Sequence, residues 1–264
     1  MAAIDIHTHA FPDSLAGRAI EKLQAAGDWQ AVGDGTVDGL VASMDAADID
    51  ISVLCPIATK PDQVRGILKW CKQIHSERII PLGSVHPRMK KPEKWVAKFA
   101  AADLPGIKLH PMYQDFIADE PLLDPIWAAA VEHDMLVTIH AGKDIAFDPE
   151  DDRASPRRLR AVLDRFPKLK LICTHMGGWQ SWNEVQQHLI GSTALLETSF
   201  SLGMIDPAQA VRIIRDHGPE KVMFGTDWPW NDQAAELQKL ELLDLSPRET
   251  RAVLLNNAAR LLGL

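Results

Sequence analysis

The stretch AIDIHTHAFPD, residues 3–13, is a short apolar run that ends in two histidines one residue apart. Side chains of a β-strand alternate between its two faces, so His7 and His9 should point the same way and Thr8 to the other face. Two imidazoles at this spacing could bind one metal ion, or they could be a polar cap on an edge strand. The rest of the sequence decides between the two, because a metal site needs further ligands.

Seven more apolar or β-branched runs follow this one, each with a segment long enough for a helix before the next. Together they predict eight strands, at AIDIH (3–7), ISVLCP (51–56), IIPLGSVH (79–86), GIKLH (106–110), MLVTIH (135–140), LKLICTH (169–175), ALLETS (194–199) and KVMFGTD (221–227). Proline or aspartate near the first turn opens most of the predicted helices. The last helix begins with the capping-box pattern Ser246-Pro247-Arg248-Glu249.

Eight strands alternating with helices over 264 residues predict an α/β fold of the (β/α)8 TIM barrel type. An open, doubly wound sheet is the alternative, but no GxGxxG or GxxxxGK motif follows a predicted strand. Segment 12–48 predicts an insertion after strand 1 that lies over the barrel mouth. Because no linker, repeat or low-complexity tract divides the chain, residues 1–264 are expected to form a single domain.

The composition is that of an ordinary globular protein, with 46% hydrophobic and 24% charged residues. Its 28 basic and 36 acidic residues give a net charge of −8. The basic residues are scattered, so neither nucleic acid nor a membrane surface is an expected partner. The expected partner is a small-molecule substrate, and a homodimer stays open.

Cysteine usage and the N-terminal sequence predict a cytoplasmic protein. Cys55, Cys71 and Cys173 are far apart and form no CxxC pair, which argues against a disulfide framework or a thiolate zinc site. The segment MAAIDIHTHA lacks the pattern of a signal peptide, and no apolar run approaches the roughly 20 residues of a membrane helix.

In a barrel of this kind the active site lies at the carboxyl ends of the strands, which makes the last residue of each run the informative one. These ends carry six of the ten histidines together with three other candidates, namely His7, His9, His86, His110, His140, His175, Lys108, Ser199 and Asp227. The remaining histidines fall in or at the ends of predicted helices, where a capping or exposed role is expected. They are His75, His133, His188 and His217.

Asp227 ends the eighth predicted strand, which neighbours the first strand only if the barrel closes. Closure would bring Asp227 beside His7 and His9, and His140 from strand 5 could supply a third nitrogen. Taken singly, His140 and His175 could be satisfied core histidines, and Asp227 could cap a turn. Their joint occurrence at the ends of strands 1, 5, 6 and 8 favours a metal site.

These residues resemble the amidohydrolase superfamily, in particular the amidohydrolase-related (amidohydrolase 2) branch that includes aminocarboxymuconate semialdehyde decarboxylase. The matching segments run from end to end of the chain, and they are IDIHTHAFP, GIKLHP, VTIHAG, SPRRLRAVLDRFPKLKLICTHMGG, KVMFGTDWPW and NAARLLGL. The resemblance implies that His7, His9, His140 and Asp227 hold one divalent ion per chain, with zinc as the expected metal. It also implies that His175 is a catalytic histidine that does not bind the metal.

Lys108 leaves the number of metal ions open. Other branches of this superfamily hold two metals bridged by a carboxylated lysine from the end of strand 4, and Lys108 lies in that strand with the same parity as His110. Carboxylation requires a desolvated lysine close to its base form. Otherwise Lys108 or His110 is expected to contact an anionic substrate or to buttress the site.

The sequence leaves three functions open, of which a metal-dependent hydrolase is the main expectation and a decarboxylase is the alternative. A metal-dependent hydrolase would cleave a small amide, lactone or ester with a metal-activated water, with Asp227 as proton acceptor and His175 as general acid/base or carbonyl-polarising group. A decarboxylase would use the same ion to orient an unsaturated or aromatic carboxylic acid while a proton is delivered to carbon. A barrel that binds a ligand without catalysis is the third, because fold alone does not imply function.

Loop residues supply candidate substrate contacts. Four tryptophans, Trp179, Trp182, Trp228 and Trp230, could face a flat or apolar substrate, with Trp179 and Trp228 as the first candidates, or could buttress the barrel end. Lys143 and Arg153 follow strand 5 and could bind a carboxylate, or they could lie in a solvated loop.

Overall fold

The computed structural model describes residues 3–264 and contains a strand in every one of the eight predicted runs. The strands are β1 Ile4–Thr8, β2 Ile51–Leu54, β3 Ile79–Pro81, β4 Gly106–Leu109, β5 Leu136–Ile139, β6 Lys170–Cys173, β7 Leu195–Glu197 and β8 Val222–Met223. All except β1 are shorter than the sequence run that predicts them. Their last residues leave the hydrogen-bonded ladder and carry side chains into the loops at the barrel mouth.

Helices separate the strands, and proline opens several of them where its missing N–H costs nothing. Their bounds are α1 Asp13–Gly27, α2 Val37–Ala46, α3 Val64–Ile74, α4 Pro92–Ala100, α5 Pro111–Gln114, α6 Asp124–Glu132, α7 Pro156–Arg165, α8 Trp182–His188, α9 Pro207–His217, α10 Gln233–Glu241, α11 Pro247–Arg251 and α12 Asn257–Leu262. The predicted capping box begins α11: Ser246 Oγ accepts from the Glu249 backbone N–H, and Glu249 Oε2 accepts from the Ser246 N–H.

The strands pair in parallel and in chain order, as a barrel requires and an open doubly wound sheet does not. Regular ladders join β1-β2-β3 and β4-β5-β6-β7-β8. Isolated parallel bridges span the two remaining seams, Gly83 with Ile107 and Thr8 with Trp228. The predicted TIM barrel is thereby confirmed, with its seams held by single bridges and backbone hydrogen bonds.

The predicted insertion after β1 is formed by α1 and α2. Ala16 and Ile20 of α1 are buried, and Leu40 and Met44 of α2 are buried in the core. An adjacent face of α1 lines the cavity at the carboxyl ends of the strands. The first part of the predicted insertion, α1, therefore lies over the barrel mouth, whereas α2 packs in the core and against α10.

The three cysteines are free and buried, in keeping with the absence of a disulfide pattern in the sequence. Each belongs to the packed interior rather than to a metal-binding thiolate group. Within residues 3–264, none of the helices combines the length and the apolar character that a bilayer crossing requires.

Gly142, immediately after β5, is a position where only glycine fits. Its φ is +85°, and an added Cβ would lie 2.2 Å from the Trp179 backbone nitrogen. Gly142→Ala should therefore lower the free energy of unfolding by about 2–4 kcal/mol, because a strained backbone and a backbone clash add together. Urea denaturation measures this change.

Gly17→Ala in α1 is the matched control. An added Cβ at Gly17 meets no atom within 4 Å, so the substitution should raise stability by up to about 1 kcal/mol through helix propensity. Equal effects of the two substitutions would contradict the role assigned to Gly142.

Candidate metal centre and active-site cavity

The closed seam between β1 and β8 brings three of the predicted metal ligands together. His9 Nε2 lies 3.1 Å and His7 Nε2 lies 3.5 Å from Asp227 Oδ1. The two Nε2 atoms are 3.1 Å apart. Thr8 faces the other way, and its Oγ1 donates to the Val53 carbonyl at 2.9 Å. The alternation expected along β1 is thus present, and it makes the histidine pair converge.

Asp227 is buried, and among residues 3–264 its Oδ1 is without an assigned hydrogen-bond partner, although His9 Nε2 lies 3.1 Å away. Burial alone would raise the pKa of this carboxyl, but the adjacent His7 and His9 hold that pKa well below its ordinary value. The site therefore contains an ionised carboxylate oxygen that is buried and lacks a hydrogen-bond donor, an arrangement that is costly without a cation.

The hydrogen-bond partners of Nδ1 orient the ring of His7. Its Nδ1 lies 3.1 Å from Glu197 Oε1 and 2.9 Å from Ser199 Oγ. A carboxylate oxygen only accepts, so Nδ1 carries the proton and Nε2 presents a lone pair to His9 and Asp227. Burial and the neighbouring Lys108 lower the pKa of His7 well below its usual value, which keeps the ring neutral.

Glu197 connects the hydrogen bonds that orient these rings, and the sequence analysis did not identify it. Its Oε1 accepts from the His175 backbone N–H at 2.9 Å and from Ser199 Oγ at 2.7 Å, while Oε2 accepts from the Ser199 N–H at 2.6 Å. The sequence feature that could have identified Glu197 is an acidic residue within the apolar run ALLETS, because a buried charge needs several hydrogen-bond donors.

One ring nitrogen of His140 and one of His175 face each other, and each presents a lone pair. His140 Nε2 must donate to the Lys143 carbonyl at 2.9 Å, which leaves its Nδ1 as an acceptor. When His175 Nδ1 donates to the Ser199 carbonyl at 3.0 Å, its Nε2 is also an acceptor. These two acceptor nitrogens are 3.0 Å apart. Either an additional proton or a cation is needed between or beside them.

An additional proton is disfavoured near neutral pH. Burial, followed by the effect of His110, lowers the pKa of His140 to about 3. Burial, followed by the effect of His140, lowers the pKa of His175 to about 4. The lone pair of His140 Nδ1 and the orphaned oxygen of Asp227, together with the Nε2 atoms of His7 and His9, form a donor set of the kind that divalent transition metals take. The residues present fit such an ion.

The structure divides the predicted ligands into neighbouring groups. The ligand atoms of His7, His9 and Asp227 lie within 4.8 Å of one another. His140 instead groups with His110 and Asp144, and it reaches the first set through His175. The assignment of His140 as a fourth ligand stays a prediction.

Lys108 lies inside this cluster rather than at its edge. It is 1% exposed, and its Nζ is 3.1 Å from His7 Nε2. Burial lowers the pKa of Lys108. This position is compatible both with the buttressing role and with the bridging role that the sequence left open.

His110 has a carboxylate partner that the sequence reasoning did not identify. Asp144 Oδ2 lies 3.2 Å from His110 Nε2, and the ring of His110 stacks on that of His140 at a centroid distance of 4.1 Å. Burial alone would raise the pKa of Asp144, but the hydrogen bond from His110 holds it below the usual range. The sequence feature that could have identified Asp144 is an acidic residue in the loop four residues after His140.

A cavity of about 740 Å³ opens above these groups, and His9, His140, His175 and Asp227 line it. Much of its wall is aromatic and is formed by Trp29, Trp70, Tyr113, Trp179, Phe200 and Trp230. The cavity has the size and lining of a small-molecule site.

The predicted substrate contacts separate in the structure. Trp179 lines the cavity, whereas Trp228 is 2% exposed and packs against Gly33. Of the residues in the described range, neither Lys143 nor Arg153 is part of the cavity wall.

Arg153 is engaged elsewhere through its side chain, and Lys143 contacts the site through its backbone. Lys143 contributes its carbonyl to His140, and Arg153 pairs with Asp151 and Asp115. A substrate-binding role for Lys143 or Arg153 has no support from this arrangement.

The sequence matches the family model described as amidohydrolase over residues 4–264. No curated protein sequence matches the chain.

Solved structures share the fold at low identity. A TIM-barrel protein of Bordetella bronchiseptica superimposes with a TM-score of 0.81 at 16% identity over 100% of this chain and 99% of that one. The 5-carboxyvanillate decarboxylase of Novosphingobium aromaticivorans, complexed with manganese and 4-hydroxy-3-methoxy-5-nitrobenzoic acid, gives 0.74 at 19% identity over 100% and 96%. A Pseudomonas putida protein provisionally named 2-pyrone-4,6-dicarboxylic acid hydrolase gives 0.68 at 17% over 99% and 97%. Identities this low establish a shared fold.

Glu197→Gln should weaken binding of a divalent ion by roughly 10- to 100-fold, because an amide cannot accept from all the donors that orient His7 and His175. Competition with a chelator measures the affinity. Glu236→Gln, at a buried glutamate of α10, is the matched control and should leave the affinity unchanged. Equal affinities for wild type and Glu197→Gln would show that Glu197 does not orient metal ligands.

Buried Glu236 should also make the stability of the folded protein depend on pH. Its Oε1 pairs with Lys239 at 2.5 Å, and within the described chain its Oε2 has no hydrogen-bond partner. Burial raises the pKa of this carboxyl from 4.5 to about 7. Between these values the folded state holds a proton that the unfolded state has released, so this contribution to stability is lost as the pH rises toward 7.

Glu236→Gln removes that titration. Its stability relative to wild type should therefore increase by about 2–3 kcal/mol between pH 5 and pH 8, as measured by urea denaturation. Glu77→Gln, at an exposed glutamate, is the control for a general charge effect. A difference between wild type and Glu236→Gln that stays constant with pH would contradict the prediction.

Proposed function

Because the chain belongs to the amidohydrolase family, we propose that it is a metal-dependent decarboxylase of a small aromatic or unsaturated carboxylic acid. The observation that carries the proposal is the orphaned carboxylate oxygen of Asp227, which faces the Nε2 atoms of His7 and His9 in an aromatic-lined cavity. Several proteins of the same fold are decarboxylases of aromatic acids, and one of these is complexed with manganese. These neighbours support decarboxylation ahead of hydrolysis. Hydrolysis was the main expectation from the sequence.

The ion would be held by His7, His9 and Asp227, with His140 as the fourth donor. Three imidazoles and one carboxylate suit zinc, which is the metal we propose at one ion per chain. When bound, such an ion supplies Lewis acidity that orients a substrate carboxylate and neutralises its charge. Metal analysis of the purified protein distinguishes one ion from two, and zinc from manganese.

His175 is the proposed proton donor to carbon. Its ring is fixed by the contact of Nδ1 with the Ser199 carbonyl, and Nε2 faces His140. As the bond between ring carbon and carboxyl carbon breaks, its electron pair stays on the ring carbon and CO2 leaves. That carbon then takes a proton that His175 Nε2 has accepted from solvent through the open cavity, and the ring returns to its neutral form.

The aromatic wall would place a flat ring and reduce its contact with water. Trp29 and Phe200 meet edge-to-face at a centroid distance of 5.0 Å, and Tyr113 packs against Phe147 at 5.0 Å. Apolar surroundings of this kind would favour the uncharged ring of a substrate over water. The wall therefore contributes to recognition of a flat substrate.

Hydrolysis of a small amide, lactone or ester is the second candidate. The family's description and the provisional name of the Pseudomonas putida protein favour it. In that reaction Asp227 would accept a proton from the attacking water and pass it to the leaving group, while His175 polarises the carbonyl. The same residues serve both reactions, so product analysis decides between them.

Location and assembly stay predictions. The three free cysteines are compatible with a cytoplasmic protein. A homodimer is neither required nor opposed by the site, because the residues proposed to act belong to one chain.

His175→Asn should lower kcat by about 10²- to 10⁴-fold without changing metal content, because it removes the proton donor but no proposed ligand. Asp227→Asn should lose both metal and activity. CO2 release from a panel of hydroxybenzoic acids, run beside hydrolysis of lactones and esters, supplies the assay.

His188→Asn, at the end of α8, is the matched control and should retain full activity. Full activity of His175→Asn would rule out its proposed role. Turnover of esters with no CO2 release from any acid would replace decarboxylation by hydrolysis.

A further inference from the structure

Helix α1 turns one continuous face toward the active-site cavity. The residues of α1 that line the cavity and share this face are Leu15, Arg18, Ala19, Lys22 and Leu23, with Gly27 at the end of the helix. Their spacing of three and four residues is that of a single helical stripe. The buried residues Ala16 and Ile20 lie along one edge of this stripe and hold the helix against the rest of the protein.

Arg18 and Lys22, the α1 cation pair, are neighbours one turn apart on that stripe. Both are exposed, and both line the cavity. In the part of the chain that the structure describes, neither forms an ion pair with a carboxylate. Arg158, by contrast, pairs with two aspartates. Two cations without partners therefore face an otherwise largely apolar cavity.

The remaining charges of the cavity wall are already engaged. Asp144 accepts from His110 and from the Ala146 backbone N–H. Asp227 faces the histidine pair in the proposed metal centre. The charge that is free to meet a ligand is thus positive and lies on α1, although the chain has a net charge of −8.

We propose that the α1 cation pair binds an anionic substituent of the substrate, so that the cavity selects an aromatic acid with a second negative charge remote from the reacting carboxylate. The choice of an aromatic acid rests on the proposed function, but the selection for charge does not depend on which bond is broken. Arg18 offers a planar fork that matches a carboxylate, and Lys22 adds a point charge. Leu15, Ala19 and Leu23 together supply an apolar surface for the ring.

Binding of simple acids tests this proposal without any reaction. Benzoate carries one carboxylate, whereas isophthalate and terephthalate carry a second at different spacings. Trp29 and Trp179 line the cavity, so tryptophan fluorescence should report binding. The wild-type protein should bind at least one dicarboxylate roughly tenfold more tightly than benzoate, the effect of two partly exposed ion pairs.

The variant Arg18→Met/Lys22→Met should lose this preference while its affinity for benzoate stays the same. The matched control is Arg65→Met/Lys69→Met on α3, a helix that lines the cavity through Gly66, Ile67 and Trp70 rather than through its cations. That control should keep the preference. Added salt should reduce the preference of the wild-type protein, which a purely structural role of α1 would not explain.

Three results would overturn the proposal: equal binding of benzoate and both dicarboxylates by the wild type, no binding of dicarboxylates at millimolar concentration, or an unchanged preference in Arg18→Met/Lys22→Met. Failure of the proposed reaction has a different signature. If the charge preference is present but no acid releases CO2, the anion site stands and only the reaction is wrong.

Discussion

The candidate site depends on the register with which the segment after β8 pairs with β1. The Asp227 N–H donates to the His7 carbonyl at 2.8 Å, and the His9 N–H donates to the Trp228 carbonyl at 2.6 Å. These backbone bonds place Asp227 beside two imidazoles that come from the other end of the chain. A shift of one residue would turn His7 and His9 to the opposite face, since strand side chains alternate with a period of two. Closing the barrel and bringing His7, His9 and Asp227 together are therefore the same structural event.

A buried carboxylate then fixes the imidazoles in place. Glu197 on β7 accepts from His7 Nδ1, from the His175 backbone and from Ser199, so its charge is compensated by donors rather than by water. One side chain thereby orients a histidine of β1 and the turn that carries a histidine after β6. Because Ser199 also contacts His175 Nδ1, the two rings cannot rotate independently. The chemistry of the site is set by this second layer as much as by the groups that line the cavity.

Periodicity in the sequence was sufficient to predict all eight strands, and strand parity together with closure was sufficient to place Asp227 beside His7. Contacts between distant segments were not accessible in the same way. Glu197 lies 190 residues from His7, and its role follows from barrel geometry rather than from a local pattern. Loop conformation was equally hidden, which is why Trp179 and Trp228 could not be assigned to the cavity and to the core in advance. The reaction stays open for the same reason, because both candidate chemistries use identical residues.

The charge distribution along the cavity gives the two proposals a common basis. At its inner end His7, His140 and His175 are neutral and Asp227 is ionised, so this carboxylate would repel an acid unless a cation is bound. At the α1 wall the free charge is positive. A divalent ion among His7, His9 and Asp227 would reverse the sign at the inner end and make both ends attractive to anions, with an apolar aromatic wall between them. A substrate with two separated negative charges and a flat apolar body matches that sequence of environments, whereas a neutral amide would leave Arg18 and Lys22 unpaired.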